Sequence, residues 1–258
     1  MFHRILIPTD FSTASEWVFD DAVRIAGTSG AEIVILHVRM TWASHPEELR
    51  FPADPVLYEY AEKLELERLR DRVRRANASL ATRLIVRQAP DPGNEICRTA
   101  KSENVDLVIM ATHGRHHVAH LLVGSTTMAL LKDPPCPVLA IRYGILKRAT
   151  LNRVVVPVHL QQTSDRALDL AAREATDIHL VTVCSDEESG RADEMLRGIA
   201  ANVPGAKITI IRGKDPEDEL LRYTAKVDAD AIFLNATAEP SQRKIDIVRH
   251  SSVPVMIV

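Results

Sequence analysis

Short apolar runs alternate with longer mixed runs along this chain. Arg4-Ile5-Leu6-Ile7-Pro8, Ile33-Val34-Ile35-Leu36-His37-Val38 and Val105-Asp106-Leu107-Val108-Ile109-Met110 are rich in β-branched residues and apolar nearly throughout. Pro, Gly, Asp and Ser bound them, which predicts strands. Their lack of polar alternation predicts strands covered on both faces. Between them, apolar residues recur at helical intervals. Val18, Ala22, Ile25 and Ala26 make one stripe, with Ser12 or Ser15 placed as its cap. From about Val56 to Ala81, Leu57, Tyr60, Leu64, Leu69 and Val73 recur among many charges. That spacing predicts an amphipathic helix with a solvated face. A third helix starts at Asn94 and continues to Lys101. Residues 39 to 55, with Trp42, Pro46, Pro52 and Pro55, fit no element. They read as a surface loop, or as a lid, because they leave the carboxyl end of a strand.

The whole pattern occurs twice. Arg4-Ile5-Leu6-Ile7-Pro8 returns as Arg153-Val154-Val155-Val156-Pro157, and Ala22 and Ala26 return as Ala171 and Ala175 at the same offset. Ile33 to Val38 matches Ile178 to Val183. Asp91-Pro92-Gly93-Asn94-Glu95-Ile96 matches Asp215-Pro216-Glu217-Asp218-Glu219-Leu220. Cys136-Pro137-Val138-Leu139-Ala140-Ile141 closes one half and Val253-Pro254-Val255-Met256-Ile257-Val258 the other. Several elements in one shared order indicate an internal repeat. Strands alternating with helices imply parallel βαβ units. The expected architecture is α/β: two tandem doubly wound domains, residues 1–145 and 150–258, each with a mainly parallel five-stranded sheet flanked by helices.

Composition narrows the function classes. The net charge of −3 offers no basic field for nucleic acid, and 4% aromatic residues leave little from which to build a base-stacking platform. The run Arg68, Arg70, Arg72, Arg74 and Arg75 alternates with Glu65, Glu67 and Asp71 and reads as a solvated helix face. No apolar run reaches about 18 residues, so no membrane span is expected. The first residues enter a strand directly and lack a signal-peptide core. Cys97, Cys136 and Cys184 are odd in number and widely spaced, matching neither a disulfide framework nor a zinc ribbon. A reduced, cytoplasmic setting is expected.

The chemically informative stretch is Met110-Ala111-Thr112-His113-Gly114-Arg115-His116-His117, continuing to Leu121-Leu122-Val123-Gly124-Ser125-Thr126. It follows a strand end, where ligands bind in parallel sheets. Gly114 opens a loop. Gly124-Ser125-Thr126 begins a short helix that stops before Pro134-Pro135. Glycine lets backbone N–H groups approach an anion, and a helix start adds partial positive charge. A plain capped loop explains the same spacing about as well.

These residues carry a family resemblance. The chain resembles the tandem form of the universal stress proteins. The nucleotide-binding branch of that family has Gly, two residues, Gly, nine residues, then Gly with Ser or Thr. Here Ala111, Gly114, Gly124 and Ser125 stand at those positions. The spacing matches, and Ala111 departs from the pattern by one methyl group, a change that weakens binding without excluding it. Pro8-Thr9-Asp10-Phe11-Ser12 and Leu36-His37-Val38 also match. The resemblance implies an adenine nucleotide alpha hydrolase-like fold and an ATP site, with Mg2+ as an accompanying ion. Pro8, Thr9, Asp10 and Val38 then face adenine and ribose. Met110 and Ala111 close the other side. Gly114, Arg115, Gly124, Ser125 and Thr126 surround the phosphates. Read without the family, Asp10 is equally a helix cap. Single-domain relatives often dimerise by their last strands, so Pro137 to Arg142 and Pro254 to Val258 are expected to join the halves as an intrachain pseudo-dimer, with a homodimer left open.

The second half lacks this equipment. Asp10 corresponds to His159, and no glycine follows Gly213. ATP binding in the family's manner is therefore expected in the first half alone. Three functions follow: a nucleotide-dependent regulator or scaffold in a stress response with weak or no catalysis; a partner-binding protein with a vestigial pocket; and a metal-assisted phosphohydrolase using His113, His116, His117 and His120. Bare histidine spacing is weak support for the last. No Gly-x-Ser-x-Gly elbow or Gly-Lys-Ser/Thr loop is present.

Overall fold

A computed structural model of the chain describes residues 1–40, 54–112, 123–145, 151–159, 166–236 and 242–258. The first half contributes β1 (Arg4–Thr9), α1 (Thr13–Trp17), α2 (Phe19–Ser29), β2 (Glu32–Met40), α3 (Pro55–Ala76), β3 (Thr82–Ala89), α4 (Pro92–Ser102), β4 (Leu107–Ala111), α5 (Ser125–Lys132) and β5 (Val138–Ile141). The second contributes β6 (Arg153–Pro157), α6 (Arg166–Glu174), β7 (Asp177–Cys184), α7 (Ser189–Ala200), β8 (Lys207–Arg212), α8 (Pro216–Lys226), β9 (Ala231–Leu234), α9 (Gln242–His250) and β10 (Val255–Ile257). The α/β class and the parallel strands agree with the expectation from the sequence.

The two expected five-stranded half-sheets are present and join edge to edge into one ten-stranded sheet. Strand order is β3-β2-β1-β4-β5-β10-β9-β6-β7-β8, a palindrome of the two halves. Pairing is parallel within each half. β5 and β10 run antiparallel and join the half-sheets, with Leu139 opposite Met256. Both side chains are fully buried. On one face, β-strand residues of both halves share a single apolar cluster with α1, α2, α3, α6 and α7. On the other face the core divides: α4 covers the first half, α8 and α9 the second, and α5 bridges them, with Leu130 in one cluster and Leu131 in the other.

The repeat has a physical basis in matched local devices. Asp91 caps α4 by accepting from Asn94 N at 3.1 Å, and Asp215 caps α8 by accepting from Asp218 N at 3.3 Å. Each is followed by proline in the first turn, where no N–H is needed. Asp106 accepts from His3 N and Arg4 N at 2.7 and 3.0 Å; Asp230 accepts from Asn152 N and Arg153 N at 3.1 and 2.9 Å. These carboxylates fasten the start of β1 to β4 and of β6 to β9.

Helix α3 corrects the sequence reading. Leu57, Tyr60 and Leu64 are 55, 63 and 52% exposed, whereas Tyr58, Glu62, Leu66, Leu69 and Val73 form the buried stripe. The reason is electrostatic. Arg39 on β2 holds Glu62 in a two-pronged ion pair, Nε to Oε2 at 3.1 Å and Nη2 to Oε1 at 2.9 Å. A charged residue thus occupies a core position and turns the helix. The arginine run was expected to be solvated, and it has a further role: Arg68 pairs with Glu16 at 2.6 Å and Arg72 with Asp20 at 2.8 Å, tying α3 to α1 and α2.

Candidate functional site

The pairing of β1 with β4 stops short of their carboxyl ends. Hydrogen-bonded register between β1 and β4 covers Ile5–Leu107 and Leu6–Val108. Both strands continue three residues further, β1 to Thr9 and β4 to Ala111. The chain turns back through β2 on one side and through β5 on the other. Such a reversal at carboxyl strand ends is where α/β sheets hold ligands.

The β1 end is locked in a strained turn. Phe11 has φ +58°, a left-handed conformation that costs an L-residue roughly 1–2 kcal/mol. Burial and hydrogen bonds hold it there. Its N–H donates to Thr9 Oγ1 at 3.0 Å, and its fully buried ring lies 4.4 Å from the His37 ring, centroid to centroid. His37 Nδ1 donates to the Thr9 carbonyl at 2.8 Å, and its Nε2 lies 3.6 Å from Glu62. Strain held this firmly is characteristic of functional sites. Asp10 Oδ1 accepts from Ser12 N at 3.0 Å, forming an Asx turn. The cap of α1 is Ser12, which accepts from Ser15 N at 3.2 Å, so Asp10 is not the helix cap.

The β4 end meets α5. Gly124 N donates to the Thr112 carbonyl at 3.0 Å. Thr127 Oγ1 donates toward the carbonyls of Ala111 at 3.2 Å and Thr112 at 3.3 Å. These bonds set the start of α5 against the strand end. Gly124 is its N-cap and supplies no side-chain cap bond. The first N–H groups of α5 therefore end the helix without a side-chain acceptor at the cap, with Ser125 exposed and Thr126 half-buried. This is anion-binding chemistry. Gly124 has φ −62° and ψ 152°, and a Cβ built on it meets nothing nearer than Thr112 O at 3.6 Å. Among the described residues, nothing requires glycine there.

Of the sequence-derived site residues, Pro8, Thr9 and Asp10 sit at the β1 end, Val38 near the β2 end, Met110 and Ala111 at the β4 end, and Gly124, Ser125 and Thr126 at the α5 start. Strand alternation separates Met110 from Ala111: Met110 joins the cluster beneath α4 and α5 with Val38, and Ala111 the cluster on the opposite face. Gly114, Arg115 and the histidines at 113, 116, 117 and 120 lie outside the described residues. So does most of the segment 39–55. Among the described residues, no group of three His, Cys, Asp or Glu side chains is arranged for a metal, and no helix is long and apolar enough to cross a membrane. Thr127 and Phe11 are missed by sequence reasoning. The Ser-Thr-Thr run is the signal for Thr127; nothing in the sequence signals the Phe11 conformation.

A family model described as the universal stress protein family matches residues 1–142. A universal stress protein of Methanocaldococcus jannaschii is 26% identical, over 55% of this chain and 96% of that protein. A crystal structure of a universal stress protein from Archaeoglobus fulgidus superimposes with a TM-score of 0.75 at 22% identity, over 98% of this chain and 97% of that one. A functionally unknown protein from Pseudomonas aeruginosa does so with a TM-score of 0.68 at 15% identity, over 100% and 92%. The two superpositions speak to fold alone, and they extend the likeness across both halves. With its family model covering 142 of 258 residues, the chain belongs to the universal stress protein family.

Proposed function

We propose that the first half binds ATP in the crevice between β1 and β4, and that the protein is a nucleotide-dependent regulator or scaffold in a stress response. The observation that carries this is the start of α5, a helix opened by a glycine that no described neighbour requires and anchored against a strand end. Its N–H groups, with the Ser125 and Thr126 hydroxyls, face phosphate chemistry. Asp10 accepts from ribose hydroxyls, and Val38 offers the base an apolar wall. Gly114 and Arg115 join the phosphate side on the strength of their sequence spacing. Mg2+, when present, would accompany the phosphates and neutralise their charge. The antiparallel β5–β10 pair supports reading the halves as an intrachain pseudo-dimer. All three cysteines are free, and burial pushes the Cys136 thiol up to about 12, leaving it protonated at neutral pH.

Gly124→Ala separates the site from the fold. Alanine is compatible with the backbone there, so stability should hold or rise by about 0.4–1 kcal/mol. Crowding one charge-assisted N–H contact should weaken ATP binding about tenfold or more. Asp10→Ala should lose a comparable factor through the ribose. Calorimetric titration of ATP, with and without magnesium, checks both; unchanged affinity in the two variants removes the assignment.

A further inference from the structure

With β5 and β10 paired to each other, the described strands leave two edges of the sheet open, β3 and β8. β3 carries Arg83 and Arg87 within its length, and charges of this kind commonly guard an edge strand. β8 reads Lys207-Ile208-Thr209-Ile210-Ile211-Arg212, with its charges at the two ends and uncharged residues between them. An open groove of about 770 Å³ lies along it, walled by Gly190 and Asp193 of α7 and by Glu219, Tyr223 and Lys226 of α8. A Cβ built on Gly190 meets nothing within 4 Å, so no described neighbour requires this glycine, and it leaves room on the α7 wall.

Strand geometry identifies the unused backbone groups. Gly213 N donates toward β7, to the Cys184 carbonyl at 3.4 Å. Successive residues of a strand point their N–H and C=O groups to opposite sides. Lys207, Thr209 and Ile211 therefore bond β7, and Ile208, Ile210 and Arg212 present theirs to the open edge. Among the described residues, nothing pairs with these outward groups. The side chains are already placed: Ile208 and Ile210 pack on the α7 face, and Thr209 Oγ1 hydrogen-bonds the Tyr223 hydroxyl at 2.9 Å on the α8 face.

We propose that β8 is a self-association edge, pairing antiparallel with β8 of a second copy about a two-fold axis through Ile210. The outward groups set the register. Ile210 faces the partner's Ile210 and Ile208 faces the partner's Arg212, so every outward N–H and C=O of both strands is used, and each such pair exchanges two hydrogen bonds. No cation stands opposite a cation, because Lys207 faces the partner's Gly213. The α8 walls match as well. A Cβ built on Gly213 comes within 2.7 Å of Glu219 Cγ, and Tyr223 reaches Thr209. α8 thus runs opposite to β8, and Lys226 lies toward Lys207. Two-fold symmetry then brings Glu219 level with the partner's Lys226, and Lys226 level with the partner's Glu219. Among the described residues, Lys226 makes no ion pair of its own. The chain already makes one join of this kind, the antiparallel β5–β10 pair with helices of both halves on a shared face. A strand from another protein could meet the backbone groups, but a second copy supplies both the register and the matching charges by symmetry.

Sedimentation velocity of the full chain, over a concentration series into the high micromolar range, tests this. The wild type should pass from monomer to dimer as concentration rises. Glu219→Lys and Lys226→Glu should each weaken the dimer about tenfold or more, because symmetry applies every change twice and sets like charges together. The double variant Glu219→Lys/Lys226→Glu should restore it, which mere loss of the Glu219–Arg222 pair at 2.8 Å would not do. Arg212→Pro probes the backbone: it removes an outward N–H at an exposed strand end and spares the bonds to β7. It should weaken the dimer and leave the circular dichroism of the wild type. A chain that stays monomeric throughout leaves the edge to another protein's strand and overturns the proposal. A dimer that all three single variants leave unchanged has its interface elsewhere and overturns it too.

Discussion

Arg39→Met is expected to destabilise the protein by about 3–5 kcal/mol. The loss comes from what the substitution leaves behind. Glu62 is 4% exposed, and both its carboxylate oxygens are held by the Arg39 guanidinium at 2.9 and 3.1 Å. Its hydrogen bond to the guanidinium is the main influence raising the Arg39 pKa, so the arginine stays charged at every accessible pH. Without Arg39, a carboxylate remains in the buried stripe of α3 with its bidentate partner gone. Arg39 also bonds Glu59 at 3.0 Å and lies 5.5 Å from the Tyr58 ring, so packing is lost as well. The double variant Arg39→Met/Glu62→Leu should recover most of the loss, since apolar pairs commonly replace buried ion pairs without penalty. Urea unfolding of wild type, both single variants and the double checks this. A cost below about 1 kcal/mol for Arg39→Met would mark the pair as an ordinary surface contact and remove the explanation for the orientation of α3.

Met256→Asp should cost more than about 3 kcal/mol through burial of an unpaired carboxylate at the join of the half-sheets. Met256 is fully buried, faces Leu139 across the antiparallel pair and packs into the cluster shared by both halves. The join is short, four residues of β5 against three of β10, so one charged side chain disturbs much of it. Both tryptophans, Trp17 and Trp42, belong to the first half. Tryptophan fluorescence therefore reports that half, and circular dichroism reports both. In the wild type the two signals should change together on denaturation. In the variant, dichroism should change first as the second half is lost. A midpoint shift worth under about 0.5 kcal/mol would show that the join contributes little to stability.

What could be read without coordinates follows from which signals are local. Strands such as Ile33 to Val38 announce themselves because both faces are covered. The Asp-Pro starts of α4 and α8 are caps with a short-range mechanism. Other features depend on partners distant in sequence. Glu62 looks like a solvent residue until Arg39, more than twenty positions earlier, neutralises it. A strand that is apolar on both faces carries no mark of which neighbour it will pair with, so the β5–β10 contact appears only as an expectation from the resemblance. At the candidate site, Asp10 and Gly124 were legible as residue types in a spacing. The left-handed Phe11 and the Thr127 anchor were not, because each is fixed by tertiary hydrogen bonds.

The palindromic strand order carries an evolutionary consequence. In an assembly of two identical chains, any substitution appears in both copies, so a site can be altered only by altering its twin. Here the partners across the join are encoded separately. Selection can keep a glycine at the helix start after β4 while placing Arg243 and Lys244 at the helix start after β9, and the sheet that joins them is undisturbed. Covalent linkage also fixes the pairing of unlike halves at one to one. Covalent linkage thus gives this architecture a freedom that symmetric association withholds: one scaffold, two unlike strand ends, each open to its own history.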